Sequence, residues 1–339
     1  MNQHWEYTID DNGIGWLRLD YLNGSANVLS HAVLEELETC IGVIESTPPA
    51  GLLVVSGKSK GFIAGADVNE FLEIKNQKDA ETHIRWVHGL FRRIEALPCP
   101  SAALIHGFCM GGGLELALAC RYRIASDDPA TRLSFPEVRL GLFPGYGGSV
   151  RGVQRIGALR ALPLMLSGRS LTARQAQRQG LVDWAVPERQ LLDAGRKILA
   201  EEPSPTLPKW TQRLINSAPL RPVMSWYSKR QVARHADPSH YPAPYALLNH
   251  WRRFGSRPDA MYASEAREVS GLLCGDTARN LIRVFQLQDR LKALGRPPEF
   301  TPERLHVVGG GIMGGDIAAW CALHGLHVTL QDTEPHRLS

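Results

Sequence analysis

The stretch Cys99–Cys120, CPSAALIHGFCMGGGLELALAC, limits what this chain can fold into more than any other. It is apolar over a length that approaches a membrane span, yet it carries Pro100, His106, three consecutive glycines and Glu115. A lipid-facing helix tolerates that combination poorly, because charge and helix-breaking residues need partners that hydrocarbon does not offer. A buried strand over Ser101–Ile105, a glycine turn and a buried helix from Gly112 satisfy the same pattern. Elements apolar on every side need layers packed on both faces, which is the arrangement of an α/β protein.

The flanking segments repeat the theme. Gly13–Asp20 and the run from Gly51 read as strands around an amphipathic helix near His31–Glu45, a helix over Ala80–Ala96 stops before Pro98, and Tyr122–Ala125 reads as a further strand. With 339 residues, 44% hydrophobic and 21% charged, the chain is long enough for a large core plus an appendage and unlike a disordered, collagenous or coiled-coil protein. A net charge of +4 does not by itself point to nucleic acid. The six cysteines, Cys40, Cys99, Cys109, Cys120, Cys274 and Cys321, show no CxxC and no zinc-like spacing with histidine, so reduced core thiols and no metal are expected. The opening MNQHWEYTID has neither a basic leader nor a following apolar run, and a cytoplasmic location is the expectation.

Composition changes from Pro203 to Ala260, where nine prolines and nine Arg or Lys meet only Asp237 and Asp259. This reads as a peripheral, partly irregular connector whose arginines are mostly solvated. A helix over Asp276–Leu294 follows, with Leu281, Ile282, Phe285, Leu287 and Leu291 on its apolar side, and Gly295, Pro297 and Pro298 end it.

Two segments hold small residues beside isolated acids. In the first, Gly111, Gly112 and Gly113 lie where a strand hands over to a helix, so their N–H groups are unpaired and unobstructed. In the second, Lys60–Phe71, Gly65 and Ala66 bring a further N–H to the same point from another crossover, and two convergent donors make an oxyanion hole. Glu115 in the first turn of an otherwise apolar helix sits beside those donors; a dipole or capping role is the alternative. Glu137 follows Pro136 among Phe135, Val138, Leu140, Leu142 and Phe143, and such apolar company raises a carboxyl pKa toward the range useful for proton transfer near neutrality.

The motifs FIAGADVNEF, HGFCMGGGLELALACRYRIAS and LSFPEVRLGLFPGYGGSVR, in this order, resemble the crotonase, or enoyl-CoA hydratase/isomerase, family over most of Trp5–Val186. The resemblance implies a spiral of ββα units, with the thioester oxygen of an acyl-CoA held by backbone N–H groups at Ala66 and Gly112. It implies that Glu115 and Glu137 flank the reacting carbons, Glu137 delivering a proton to the α-carbon and Glu115 orienting water. Members with one of these acids tend to be isomerases, so the pair favours hydration of a trans-2-enoyl-CoA, which needs no cofactor. Asp67 is expected to structure its loop. Lys60 and the arginines after Pro203 are candidates for the CoA phosphates.

Near the C-terminus, Gly309, Gly311 and Gly314 form GxGxxG between a strand over Arg304–Val308 and a helix over Ile312–His324, and Asp332 ends the next strand at a spacing suited to a ribose-binding acid. This order of domains resembles the multifunctional β-oxidation α-subunits, in which a hydratase precedes an NAD-dependent 3-hydroxyacyl-CoA dehydrogenase. It implies a linker helix packed on the hydratase core and a thiolase subunit or a homo-oligomer as partner. Asp316 departs from that pattern, because a carboxylate in the first turn repels a pyrophosphate. The His/Glu pair of the dehydrogenase would lie beyond Ser339, so no dehydrogenase activity is expected of these residues.

The expected division is a crotonase-like core over 1–190, a helical and proline-rich segment with the linker helix over 191–300, and the first βαβ unit of a Rossmann domain over 301–339. Two rivals to the hydratase are a Δ3-Δ2-enoyl-CoA isomerase and a non-catalytic acyl-CoA or NAD-binding scaffold. A scaffold has no need for both Glu115 and Glu137.

Overall fold

Through the first half of the chain, each crossover lays one strand in each of two sheets. The computed structural model describes residues 4–22, 24–204, 215–294 and 301–337, which group into two compact units, one to Phe285 and one from Gln286. After the antiparallel pair β1 (Trp5–Ile9) and β2 (Ile14–Leu19) comes α1 (His31–Ser46). The next strands pair off as β3 (Gly51–Ser56) with β4 (Gly61–Ile63), β5 (Ser101–Ile105) with β6 (Phe108–Met110), and β7 (Tyr122–Ser126) with β8 (Arg132–Ser134). Odd members extend a six-stranded sheet, β1-β2-β3-β5-β7-β10, and even members a four-stranded one, β4-β6-β8-β9, completed by β9 (Leu171–Thr172) and β10 (Trp184–Val186). This is the α/β spiral of ββα units that the motifs implied.

Local chemistry explains the elements. The N-cap Ser30 accepts from Val33 N–H, and Val33, Leu34, Leu37, Ile41 and Ile44 recur at helical spacing to form the buried face of α1. Each such fully buried aliphatic side chain contributes roughly 1.5–3 kcal/mol. β5 and β7 are buried at every residue, as strands covered on both faces must be. Between β5 and β6 the chain turns through Gly107 at φ +55°, where a Cβ would come within 2.1 Å of the Lys60 carbonyl oxygen.

The helices that surround the sheets are α2 (Val68–Phe71), α3 (Gln77–Glu95), α4 (Gly112–Ala119), α5 (Gly148–Ile156), α6 (Ala158–Ser167), α7 (Ala173–Gln179) and α8 (Leu191–Glu201). The segment expected to be helical and proline-rich, and partly irregular, holds three helices, α9 (Arg221–Val232), α10 (Pro242–Phe254) and α11 (Pro258–Leu273). Pro222, Pro242 and Pro258 fit these helices because they occupy the first turns, where a missing N–H costs nothing. Leu247, Leu248 and Trp251 of α10 are buried in the main core. The part of that segment over 205–214 lies outside the described residues.

Helix α12 (Asp276–Leu294) does pack on the core through its first turns, where Ala278 and Ile282 join Ala80, Leu142 and Leu273. The cysteines are free thiols, but Cys274 and Cys321 are only partly buried, so the expectation of core thiols holds for the other four. In the second unit, β11 (Arg304–Val308) and β12 (His327–Gln331) pair in parallel around α13 (Ile312–Leu323). No residue of α13 is buried, and Ile312 is 90% exposed. Among the described residues no helix is long and apolar enough to cross a membrane.

Candidate active site

The crossover from β6 to α4 and the loop after β4 converge on one cavity of about 100 Å³. Leu29 bridges the second loop, donating to Gly65 O at 2.8 Å and accepting from Asp67 N at 3.2 Å. In such a bridge the N–H of the intervening residue, Ala66, points to the opposite side. Gly112 opens α4, so helix geometry gives its N–H no acceptor either. A Cβ on Gly112 would lie 3.3 Å from Ala66 N, which places the two donors side by side. Asp67 caps α2 by accepting from Asn69 N, as expected of a loop-structuring acid.

Glu115 and Glu137 both line this cavity, with Ala66, Gly112, His83 and Tyr146. Their surroundings differ. Glu115 is buried on α4, and its Oε1 accepts from Tyr146 N at 2.8 Å and Gly148 N at 2.7 Å. Glu137 starts a 3-10 turn after Pro136, and both its carboxyl oxygens are shut from solvent; among the described residues no other residue donates to them, and only its own backbone amide comes near enough to oppose the effect of burial. Burial pushes Glu137 up to about 8, with the Glu265 charge adding to the rise and a backbone hydrogen bond opposing it. Burial also drives Glu115 well above the usual carboxylate range; Glu137 and Glu265 add to this, while the amides of Gly148 and Tyr146 oppose it. Two like charges in one apolar cavity disfavour double ionisation, so the pair retains a proton near neutrality.

Three further residues of this region were not singled out from the sequence. His83 of α3 lies 3.3 Å from the Tyr146 hydroxyl through Nε2, and burial, helped by His31, holds it neutral down to about pH 4. Tyr146 packs its ring where a Cβ on Gly112 would sit, 3.1 Å from Cδ2. Glu265 of α11 is fully buried and accepts from Gly147 N at 2.6 Å. A signal for it was present: Met261, Glu265, Val269 and Leu273 recur every fourth residue, and an acid on an apolar helical stripe needs a reason.

The remaining sequence candidates lie elsewhere. Gly309, Gly311, Gly314 and Asp332 come together in the second unit, where Gly310 N donates to Asp332 Oδ2 at 2.6 Å. A Cβ on Gly314 would meet Gly309 O at 1.7 Å, so this turn admits only glycine there. Among the described residues no group of His, Cys, Asp and Glu is arranged to hold a metal ion.

Residues 11–209 match the enoyl-CoA hydratase/isomerase family, and residues 304–339 match the NAD-binding domain of 3-hydroxyacyl-CoA dehydrogenase. The chain belongs to the enoyl-CoA hydratase/isomerase family. It is 34% identical over 319 residues to the fatty acid oxidation complex subunit alpha of Vibrio vulnificus, covering 91% of this chain and 45% of that protein. The chain thus spans about half the length of this curated relative. Among solved structures, an enoyl-CoA hydratase from Bacillus anthracis superposes with a TM-score of 0.54 at 26% identity, covering 74% of this chain and 90% of that one. An enoyl-CoA hydratase from Bacillus halodurans, at 18% identity, shares the fold with a TM-score of 0.60 over 83% of this chain and all (100%) of its own.

Proposed function

We propose that this chain hydrates trans-2-enoyl-CoA to 3-hydroxyacyl-CoA in fatty-acid β-oxidation. The observation that carries this reading is one apolar cavity lined by Ala66, Gly112 and two carboxyl groups, Glu115 and Glu137, that differ in their hydrogen-bonding environments.

The amides stabilise charge that develops on the thioester oxygen as water adds to the β-carbon. Glu115, raised by burial but the one carboxyl of the pair whose anion two amide donors stabilise, orients water and takes its proton. Glu137, which lacks the pair of amide donors that Glu115 has and is raised by burial, stays protonated and delivers its proton to the α-carbon. The water oxygen forms the new C–O bond, the α-carbon gains the C–H bond, and exchange of one proton between the carboxyl groups restores the starting state. Hydration requires no cofactor. Isomerisation of a 3-enoyl-CoA would pass through the same enolate but needs only one acid, so the pair favours hydration.

The same reading takes NAD as the ligand of the second unit's turn, with Gly309, Gly311 and Gly314 about the pyrophosphate and Asp332 toward the ribose. Asp332 accepts from the Gly310 amide through Oδ2, and a carboxylate retains further acceptor positions for ribose hydroxyls. Similarity to a protein named as a fatty acid oxidation complex subunit supports a partner subunit for this chain, which this reading takes to be a thiolase-type subunit or a further copy of the chain, in the cytoplasm.

The test is loss of the enoyl-thioester absorbance of crotonyl-CoA, with Glu115→Gln and Glu137→Gln in parallel. The parent is expected to be active and each folded variant slower by about 10²–10⁴-fold. A folded parent that binds acyl-CoA without hydrating it overturns the reading, with 3-enoyl-CoA as the next substrate.

A further inference from the structure

Glu265 lies beneath the loop that carries Tyr146, Gly147 and Gly148, and the catalytic scheme above gives it no part. It is a buried carboxylate gathered from four helices. From α3, His88 Nε2 approaches Oε1 at 2.9 Å and the Gly145 carbonyl oxygen at 2.8 Å; both are acceptors, so Nε2 carries the proton and donates to each. At the head of α5, Gly147 N donates to Oε1 and the Ser149 hydroxyl donates to Oε2. His250 of α10 sits 2.9 Å from Ser149 Oγ through Nε2 and must donate there, because the Ser149 proton is already given to Glu265.

This arrangement holds the loop in a conformation that most residues resist. Gly147 has φ +96°, and a Cβ there would meet Arg151 Nη1 at 2.0 Å and Tyr262 at 2.9 Å. Arg151 in turn donates to the Tyr146 carbonyl at 2.9 Å while its Nε pairs with Glu95 at 2.8 Å. With Gly147 N–H turned down to Glu265, the N–H groups on either side, Tyr146 and Gly148, turn up to Glu115 Oε1. One Glu115 oxygen is thereby fixed, and Oε2 is left without a protein donor.

We propose that Glu265 is a positioning residue for the hydration proposed above, setting through the Gly147 amide the orientation in which Glu115 meets water. The inference rests on the hydratase reading. It has two parts that separate experimentally: Glu265 Oε1 sets the loop, and its negative charge sets the proton affinity of the Glu115–Glu137 pair. Burial favours the neutral form of Glu265, but His88, Ser149 and His250 outweigh it and hold the carboxyl below its ordinary value, so it is an anion at working pH. The groups facing it are His88 from α3, Arg151 from α5, His250 from α10, Tyr262 on its own helix, and Glu115 and Glu137 across the loop.

Glu265→Gln keeps an oxygen for Gly147 N–H and removes the charge, whereas Glu265→Ala removes both. Crotonyl-CoA hydration by the 339-residue chain is measured from pH 5.5 to 9, with kcat and KM separated and folding checked by circular dichroism. Glu265→Gln is expected to keep KM within about twofold and to move the pH–kcat profile down by about one unit, because the pair loses a negative neighbour. Glu265→Ala is expected to lower kcat a further tenfold or so, since a freed amide lets Glu115 turn. Ser149→Ala, which removes one donor and leaves the carboxylate, serves where Glu265 variants do not fold, and is expected to lower kcat about threefold with KM unmoved. An active parent whose folded Glu265→Gln or Ser149→Ala variant keeps the parental kcat and profile overturns this proposal alone. A parent that hydrates nothing overturns the proposed function and this inference with it.

Discussion

Glu115 and Glu265, from different helices, grip three consecutive backbone amides in alternation: Glu115 Oε1 takes Tyr146 and Gly148, and Glu265 Oε1 takes Gly147 between them. Each carboxylate is buried, so its remaining options for hydrogen bonding are few, and the loop is held from both sides. Buried carboxylates are costly unless satisfied, and here the backbone satisfies them. The site therefore depends on the smallness of the loop as much as on the acids.

That dependence is sharpest at Gly148. A Cβ there would fall 2.6 Å from Glu115 Oε1 and 2.8 Å from its Cγ, closer than any relaxed contact allows. Gly148→Ala should therefore push Glu115 off its two amides and lower kcat for crotonyl-CoA by about 10²-fold, the scale of losing alignment at a reacting centre. Steady-state kinetics on the folded variant checks this. A variant with parental kcat would mean that Glu115 does not act from this position.

Much of this was legible in the sequence, and what was not has identifiable causes. Gly65, Ala66, Gly111 to Gly113, Glu115 and Glu137 draw notice as small residues beside isolated acids in apolar runs, the family resemblance singles out Ala66 and Gly112 among them, and Ala66, Gly112, Glu115 and Glu137 all line one cavity. The strand Ser101–Ile105 carries a simple boundary signal in its preceding proline and the helix from Asp276 in its apolar repeat, while Gly295, Pro297 and Pro298, expected to end that helix, lie outside the described residues. The apolar stripe around Glu265 was visible locally, but its role was not, because its partners are 118 residues away at Gly147 and 177 at His88. The bounds of helices α9 to α11 within the helical and proline-rich segment were not legible, because proline counts say nothing of position within a helix. There, tertiary burial of Leu247, Leu248 and Trp251 decides the outcome.

The carboxyl of Glu137 ties stability to pH. With its folded value raised to about 8 and an unfolded value near 4.3, the folded state holds a proton that the unfolded chain has released across this window. Its contribution is complete below the unfolded value and is lost as pH rises through the folded one. Glu137→Gln removes that loss, so the variant should gain on the parent between pH 5 and pH 8 by about 1 kcal/mol or more. Urea denaturation at the two pH values measures the difference directly. A gap that stays constant or narrows contradicts a protonated Glu137.

Acyl length should be set by the far wall of the cavity. Val68, Phe71, Ile74, Ala80, Ile84 and Leu273 line it, and the free volume is about 100 Å³. Ala80 is the smallest of these, on α3, where Leu142, Leu273 and Ile282 meet it. Ala80→Leu adds three carbon-sized groups to that space. Crotonyl-CoA, with only two carbons beyond the α-carbon, should be hydrated at nearly the parental rate if the acyl chain runs toward Ala80. A six- to eight-carbon enoyl-CoA should lose about 10–200-fold in kcat/KM, the range expected when a hydrophobic pocket is one or two methylenes too small. Equal losses for both substrates would place the acyl chain elsewhere.

Away from the cavity, Asp183 ties the sheet to the helix that anchors the loop. Its Oδ2 accepts from Arg123 Nη2 at 2.8 Å and from Arg123 N at 3.0 Å, and its Oδ1 accepts from Arg155 near the end of α5. The side chains of Arg123 and Asp183 are each 2% exposed, and burial, with the Arg123 charge, pulls Arg155 down to about 10. Asp183→Asn would leave two guanidinium groups buried without a counter-charge, and removing one partner of such a buried pair costs about 3–5 kcal/mol. The urea midpoint should fall accordingly, while kcat per folded molecule stays at the parental value because Asp183 does not line the cavity. A loss of stability below about 1 kcal/mol would mean that the two arginines find water or other acceptors once the carboxylate is gone.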